Sequence, residues 1–278
     1  MDKSHAAGWG SDAPTPAQLK ELFAQIESGR VTREKLQGWL NDKFPMRGFY
    51  ADEEIFSDYA YPKEYKGPKP IDEQIKALAS FFYTRKYVGV LSSLPPRVLL
   101  PPGAEGLFAI PRWERLAPTY GEAVEKVLAI ISSQRKFRSH YDGKFGVKYL
   151  RQHTRTVDAF QKLSNEQNGN DILIVPAQFG LRHSGRSVRR ARYMFEDREF
   201  GLGAFAVGIM LLTHPEREVR WEQLHVDCAG DELSLKADGN FSCAPYFQFS
   251  GGKIEFYHYA CTDVDRIYGS ASGFLLEK

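Results

Sequence analysis

Residues 185–192 hold four arginines, Arg186, Arg189, Arg190 and Arg192. Arg182 lies just ahead of them, and the acids Glu196, Asp197 and Glu199 come only afterwards. Guanidinium forks at this density are the side chains that grip phosphate or carboxylate in bidentate fashion. Ser187 reads as the N-cap of a short helix whose apolar face is Val188, Ala191, Met194 and Phe195. A helix arranged for its own stability sets acids in its first turn and cations in its last. This one reverses that order, which predicts an anion at its start. The anion is a bound polyanion, an external acidic partner, or an acid of this chain folded over the arginines, with Asp171 and the 51–58 run as sources.

A second basic stretch sets Arg135, Lys136, Arg138, Lys144, Lys148, Arg151 and Arg155 against Asp142 alone. Phe137, Tyr141, Phe145 and Tyr149 are interleaved with them, together with His140 and His153. Cations neutralise phosphates while rings stack on bases, so Tyr141 and Tyr149 join these cations as candidate nucleic-acid contacts. The competing reading is a solvated loop whose rings anchor it to the core. Net charge is only +2, so the flanks of these segments are acidic. Such asymmetry concerns partners rather than fold. No zinc-finger spacing and no RRM, KH or bZIP signature is present, which favours single-stranded or structured nucleic acid over sequence-specific duplex reading.

Three further constellations bear on chemistry. His225, Asp227, Asp231 and Glu232 crowd one strand end and turn. Carboxylates so placed would hold Mg²⁺ for phosphodiester hydrolysis, or simply form a polar turn. The pairs His225/Cys228 and His258/Cys261, with Cys243 between, have the ligand types of structural zinc. Residues i and i+3 of a strand face opposite ways, however, so buried small thiols are the competing reading. Residues 201–206, GLGAFA, match a dinucleotide fingerprint, but the charged segment ahead of them reads as helix where that motif needs a strand. Close helix packing is the role expected of those glycines. No P-loop, nucleophile elbow or H-E-x-x-H occurs, so no catalytic residue is assigned and no cofactor beyond Mg²⁺ under the hydrolase reading.

The elements that must position these groups follow from periodicity. Residues 1–14 read as a disordered lead. Residues 15–41 form a helical hairpin that starts on a capping box at Thr15 and docks on the main body, on a second copy or on a protein partner, and 42–70 form an extended connector. Helices are expected at 71–82, after Thr119 and at 156–163, and strand candidates at 87–91, 97–100, 107–110 and 171–176. From 223 onward the pattern is β, with strands at 224–228, 241–249, 253–261 and 272–276 and a hairpin turn at Ser250-Gly251-Gly252. The fold class expected is α+β, with the helical hairpin in front, a mixed centre and a largely antiparallel C-terminal sheet within a globular domain at 71–278.

The longest apolar run, 200–212, is too short to span a membrane and reads as a core helix. Three cysteines and the absence of an apolar leader run predict a reduced, cytoplasmic protein. The function expected is binding of a polyanion, foremost nucleic acid. The alternatives are a metal-dependent phosphoesterase or nuclease, and an assembly protein whose arginines are internal ion pairs.

Overall fold

Ile172–Gln178, an unbroken apolar run, forms β4 and is buried along its whole length, as a strand covered on both faces must be. In the computed structural model, which describes residues 19, 20, 23, 26, 27, 49–82, 99–141 and 143–276, β4 is an inner strand of a four-stranded antiparallel sheet. Its neighbours are β1 (Gly106–Pro111) and β11 (Ser272–Phe274), with β5 (Glu199–Gly201) at the far edge. The second sheet is built on β8 (Cys243–Ser250). β9 (Lys253–Ala260) pairs along one edge, through the turn at Gly251 and Gly252, both at positive φ. β6 (His225–Asp227) and β7 (Asp231–Leu233) share the other edge. Its margins are β2 (Phe137–Ser139, parallel to β9), β3 (Leu150–Gln152, antiparallel to β7) and β10 (Tyr268–Ser270, parallel to β6).

Among the described residues from Tyr50 onward, five α-helices complete an α+β fold: α1 (Ile71–Phe82), α2 (Tyr120–Gln134), α3 (Thr154–Glu166), α4 (Val188–Met194) and α5 (Ala204–Thr213). Thr119 and Glu122 cap α2 reciprocally, and Val124, Val127, Leu128 and Ile131 form its buried face. All ten residues of α5 are buried. A Cβ at Gly208 would press on Val127 of α2, so glycine here sets how closely the two helices approach.

Two expectations need correction. Residues 272–274 leave the C-terminal sheet and join β4 and β5 instead. The switch occurs at Ala271, whose N–H donates to the Asp227 carbonyl and whose carbonyl accepts from Leu202 N–H, both at 3.0 Å. The charged segment before Gly201 ends in strand β5, not helix, because Glu199 turns inward to a buried polar network.

The chain divides into two compact units, Met1–Phe49 and Tyr50–Lys278. In the first, Leu19, Lys20, Phe23, Ile26 and Glu27 are helical. The rest of the expected hairpin, the 1–14 lead, the 87–91 strand and residues 97 and 98 lie outside the described residues, and 99 and 100 are not in a strand. The connector from Tyr50 onward belongs to the second unit. Among the described residues no helix is long and apolar enough to cross a membrane.

Arg217 pins this connector to the body. It is fully buried, donates to the carbonyls of Leu224 (2.8 Å) and Phe179 (3.3 Å), and lies 4.1 Å over the Tyr61 ring. Tyr61 and Tyr65 both donate to Glu105, whose carboxyl is pushed up by burial despite those bonds. Arg217→Ala strands two buried carbonyls and opens a void, so a loss of about 3–5 kcal/mol is expected in urea unfolding. A loss below about 1 kcal/mol would show that the stack on Tyr61 contributes little.

Candidate anion-binding site

The start of α4 is set by a glycine. Gly185 has φ +72°, and a Cβ there would overlap the Ile55 carbonyl. With no side chain in the way, residues 53–55 run antiparallel beside 185–187. Ile55 N–H donates to Gly185 O (2.8 Å), Ser187 N–H donates to Glu53 O (3.0 Å), and Glu54 bridges Arg186. This pairing delivers two carboxylates to the arginines. Ser187 caps α4 by accepting from Arg190 N–H (3.0 Å) and donates its own hydroxyl to Glu53 Oε2 (2.6 Å). Arg189 holds Glu53 through Nε (3.2 Å) and Nη2. Arg186 and Arg190 divide Glu54 between them, at 2.8 and 3.0 Å.

The anion at this helix start is therefore Glu53, from the 51–58 run. Asp171, the other expected source, pairs with Arg115 instead (2.8 Å). The hydrogen bond from Arg189 holds the Glu53 carboxyl below its ordinary 4.5, against burial, with Ser187 adding to the effect. Burial alone would raise Glu54, but the hydrogen bonds of Arg186 and Arg190 reverse that and lower it. Arg182 pairs with Glu196 (2.5 Å) and Glu199 (3.3 Å).

Glu199 anchors a further buried network, accepting from His183 Nε2 (2.7 Å) and Ser272 Oγ (2.6 Å). Hydroxyl and imidazole both bond the carboxylate rather than each other. The trio therefore lacks the serine–histidine contact that activates a nucleophile.

Arg192 and Arg155 are held differently. Arg192 donates to the carbonyls of Ala229 (2.8 Å) and Asp231 (2.5 Å). Arg155 donates through Nη2 to the carbonyls of Phe195 (3.4 Å) and Glu196, at the C-terminal end of α4. Neither forms an ion pair with a carboxylate among the described residues. Together with Arg189, His153, Tyr50, Tyr193 and Phe195 they line a cleft of about 270 Å³. His153 caps α3, accepting from Arg155 N–H at 3.3 Å. Burial lowers its pKa, and so do the nearby charges of Arg192, Arg155 and Arg151, against an opposing pull from Glu232. The cleft therefore joins the end of the second basic stretch to the arginine helix.

The other cations of that stretch lie elsewhere. Arg135 donates to the carbonyls of Pro215 (2.7 Å) and Glu218. Arg151 pairs with Glu232 (2.7 Å) and stacks over Phe241 at 3.8 Å. Lys136, Arg138, Lys144 and Lys148 are exposed and do not line the cleft. Tyr141 and Phe145 are buried against Phe256. They anchor the loop to the core, so Tyr141 offers no face to a base, and Tyr149 is half-buried.

The acidic strand-end cluster does not converge on a metal site. Asp231 accepts from Ala204 N–H and from the Tyr120 hydroxyl, both at 2.7 Å, and so caps α5. That carboxylate occupies the helix start where a dinucleotide phosphate would sit, and a Cβ at Gly203 would strike both Asp231 and Tyr120. Glu232 is taken by Arg151 and His225 by Glu218 (3.0 Å). Asp227 is fully buried, with neither carboxylate oxygen hydrogen-bonded. Burial pushes its pKa up to about 7, and the Tyr259 hydroxyl only attenuates the rise without making a well-formed hydrogen bond.

Among the described residues no three His, Cys, Asp or Glu side chains gather to hold a metal. Cys228, Cys243 and Cys261 are free and buried, their thiols pushed up by burial. His258 lies with Tyr141 in the aromatic packing of β9. Sequence reasoning did not single out Tyr50, Tyr193 or Tyr120, and it placed Phe195 only on the apolar face of the arginine helix. Their only local signal was aromatic character beside charge. No protein-family model, no curated protein and no solved structure matches this chain.

Proposed function

We propose that the protein binds a polyanion, foremost nucleic acid, in the cleft framed by Arg155, Arg189, Arg192 and His153. The observation that carries this reading is that Arg155 and Arg192 are held by main-chain carbonyls rather than by acids. A carbonyl satisfies a donor without cancelling its charge, so the cleft keeps a positive field that phosphate would neutralise. Arg189 lies 4.0 Å over the Tyr50 ring, and Tyr50 meets Tyr193 edge-on at 6.3 Å. Tyr193 is exposed. Rings beside cations suit a single strand, whose bases stack while its phosphates pair.

Binding of a labelled single-stranded oligonucleotide across a salt series tests the reading. Affinity is expected to fall as salt rises. Replacing Arg155 and Arg192 together with Gln is expected to weaken low-salt binding about 10- to 100-fold and to lower the salt slope by about one per arginine. No binding at low salt, or an unchanged slope in the variant, defeats the proposal.

The pairing of Arg182, Arg186, Arg189 and Arg190 with Glu residues favours a second reading, an assembly protein whose arginines serve the fold. On that reading wild type and variant are equally inert towards the oligonucleotide.

A further inference from the structure

No Asp or Glu side chain lines the cationic cleft. Gly201 and Ala229, both buried, form its floor, while Tyr50 and Tyr193, both exposed, stand at its mouth. A Cβ at Gly201 would strike the Ala229 carbonyl, so the missing side chain lets the two segments touch and shut the floor. The start of α3 is fixed to the same floor. His153 N–H donates to Gly230 O (2.8 Å), and the buried Thr156 hydroxyl donates to Gly201 O (2.9 Å). The cleft is thus closed at one end and built on held backbone.

Its donors define the ligand. Arg155 uses only Nη2 on the protein, which leaves Nε and Nη1 without an acceptor among the described residues. Arg192 Nη1 meets only the Cys261 thiol, at 3.9 Å. His153 accepts through Nδ1 from Arg155 N–H, so the neutral ring carries its proton on Nε2 and offers a further donor. Arg189 is already neutralised by Glu53, so the uncancelled charges are the two of Arg155 and Arg192. The first turn of α3 holds no acid, and the positive end of its dipole adds to them.

We infer that this cleft holds a phosphomonoester, the terminal phosphate of a nucleic-acid strand, an inference that rests on the nucleic-acid reading above. An internal phosphodiester brings one negative charge and a chain that must leave on both sides. A terminal phosphate brings a charge of about −2 and three acceptor oxygens, with the chain leaving on one side only. Two uncancelled guanidinium charges and a closed floor match the second. Nor does a phosphate track continue beyond the cleft, since Lys136, Arg138, Lys144 and Lys148 do not line it. Tyr193 at the mouth offers a ring to the first base.

The test compares single strands of one sequence that carry a 5′-phosphate, a 3′-phosphate or hydroxyls at both ends, at pH 8 and low salt. The better phosphorylated strand is expected to bind at least about tenfold more tightly than the hydroxyl strand. In Arg155→Gln with Arg192→Gln the three strands are expected to bind alike. His153→Asn keeps a helix-capping oxygen but withdraws the Nε2 donor, and is expected to reduce the preference about threefold. Adenosine monophosphate is expected to displace the phosphorylated strand from the wild-type protein, whereas adenosine is not.

Equal binding of all three strands by the wild-type protein overturns the inference, while a salt-dependent affinity common to them leaves the polyanion reading standing. A preference undiminished in either folded variant also overturns it, because the phosphate is then held elsewhere. Should no strand bind while the monophosphate does, and the double variant lose that binding, the nucleic-acid reading fails and the phosphomonoester site stands. Absence of binding by strands and monophosphate alike defeats both.

Discussion

Asp227→Asn is expected to stabilise the protein at pH 8 and to destabilise it near pH 4, where the native carboxyl is already protonated. Asp227 is fully buried with both carboxylate oxygens unpartnered, and burial lifts its pKa from 3.8 to about 7. A group whose pKa is raised on folding binds its proton more tightly in the native state, so its contribution to stability is fully present below the unfolded value. That contribution is lost as pH rises through the folded value. The window therefore runs from 3.8 to about 7, and above it the protein carries a desolvated, unpaired carboxylate.

Asn removes the charge but leaves a buried amide, which itself costs on the order of 1–3 kcal/mol when unpaired. The net gain expected at pH 8 is thus about 1–3 kcal/mol, less than the roughly 4 kcal/mol implied by ionisation alone. Urea midpoints at the two pH values measure it. A variant less stable than wild type at pH 8 would mean that the charged form of Asp227 has a stabilising partner.

Removing both carboxylates at the arginine helix is expected to have the opposite effect. Glu53→Gln with Glu54→Gln should cost about 2–4 kcal/mol at pH 7, because it removes the carboxylate charge from beside Arg190, whose side chain is only 4% exposed. The loss stays below the full cost of a stranded buried ion because Glu54 keeps 33% of its side chain open to water. Glu53 and Glu54 are both held below their ordinary 4.5. The stability they contribute is present above that value and drains as pH falls through their folded values, so the double variant should lose the steepest part of the wild-type acid transition. Glu64→Gln, which breaks an open surface pair with Arg220, is the control and should leave the midpoint where it is. Equal effects of the two substitutions would mean that the network at α4 contributes no more than a surface pair.

These two responses occupy different pH ranges because the carboxylates differ in partners rather than in burial alone. Glu53 and Glu54 sit among guanidinium groups, whereas Asp227 sits with none. Nothing in the local sequence around Asp227 distinguishes it from an ordinary turn acid.

Much of the fold was legible because it is written in local periodicity. The helix cap at Thr119, the apolar face of α2, the continuous run of β4 and the Gly251-Gly252 turn each depend on residues a few positions apart. The three-residue strands β2, β3, β5, β7 and β10 were not legible, since segments so short carry no period. Nor was the transfer of β11 to the other sheet, which depends on where Ala271 meets Asp227 and Leu202 in space. The aromatics of the second basic stretch illustrate the same limit. Composition marks Tyr141 as a ring beside cations, and only packing against Phe256 decides that it faces inward.

The arginine helix divides along the same line. Its sequence alone determined that cations precede acids against the helix dipole, and hence that a negative charge must meet its start. Only the tertiary structure decided which charge that is. Glu53 lies 134 residues from Ser187 along the chain, and the path of the intervening chain, not any local pattern, brings them within hydrogen-bonding distance. The same closure places Arg155 and Arg192 against carbonyls instead of carboxylates, because among the described residues no acid pairs with either guanidinium.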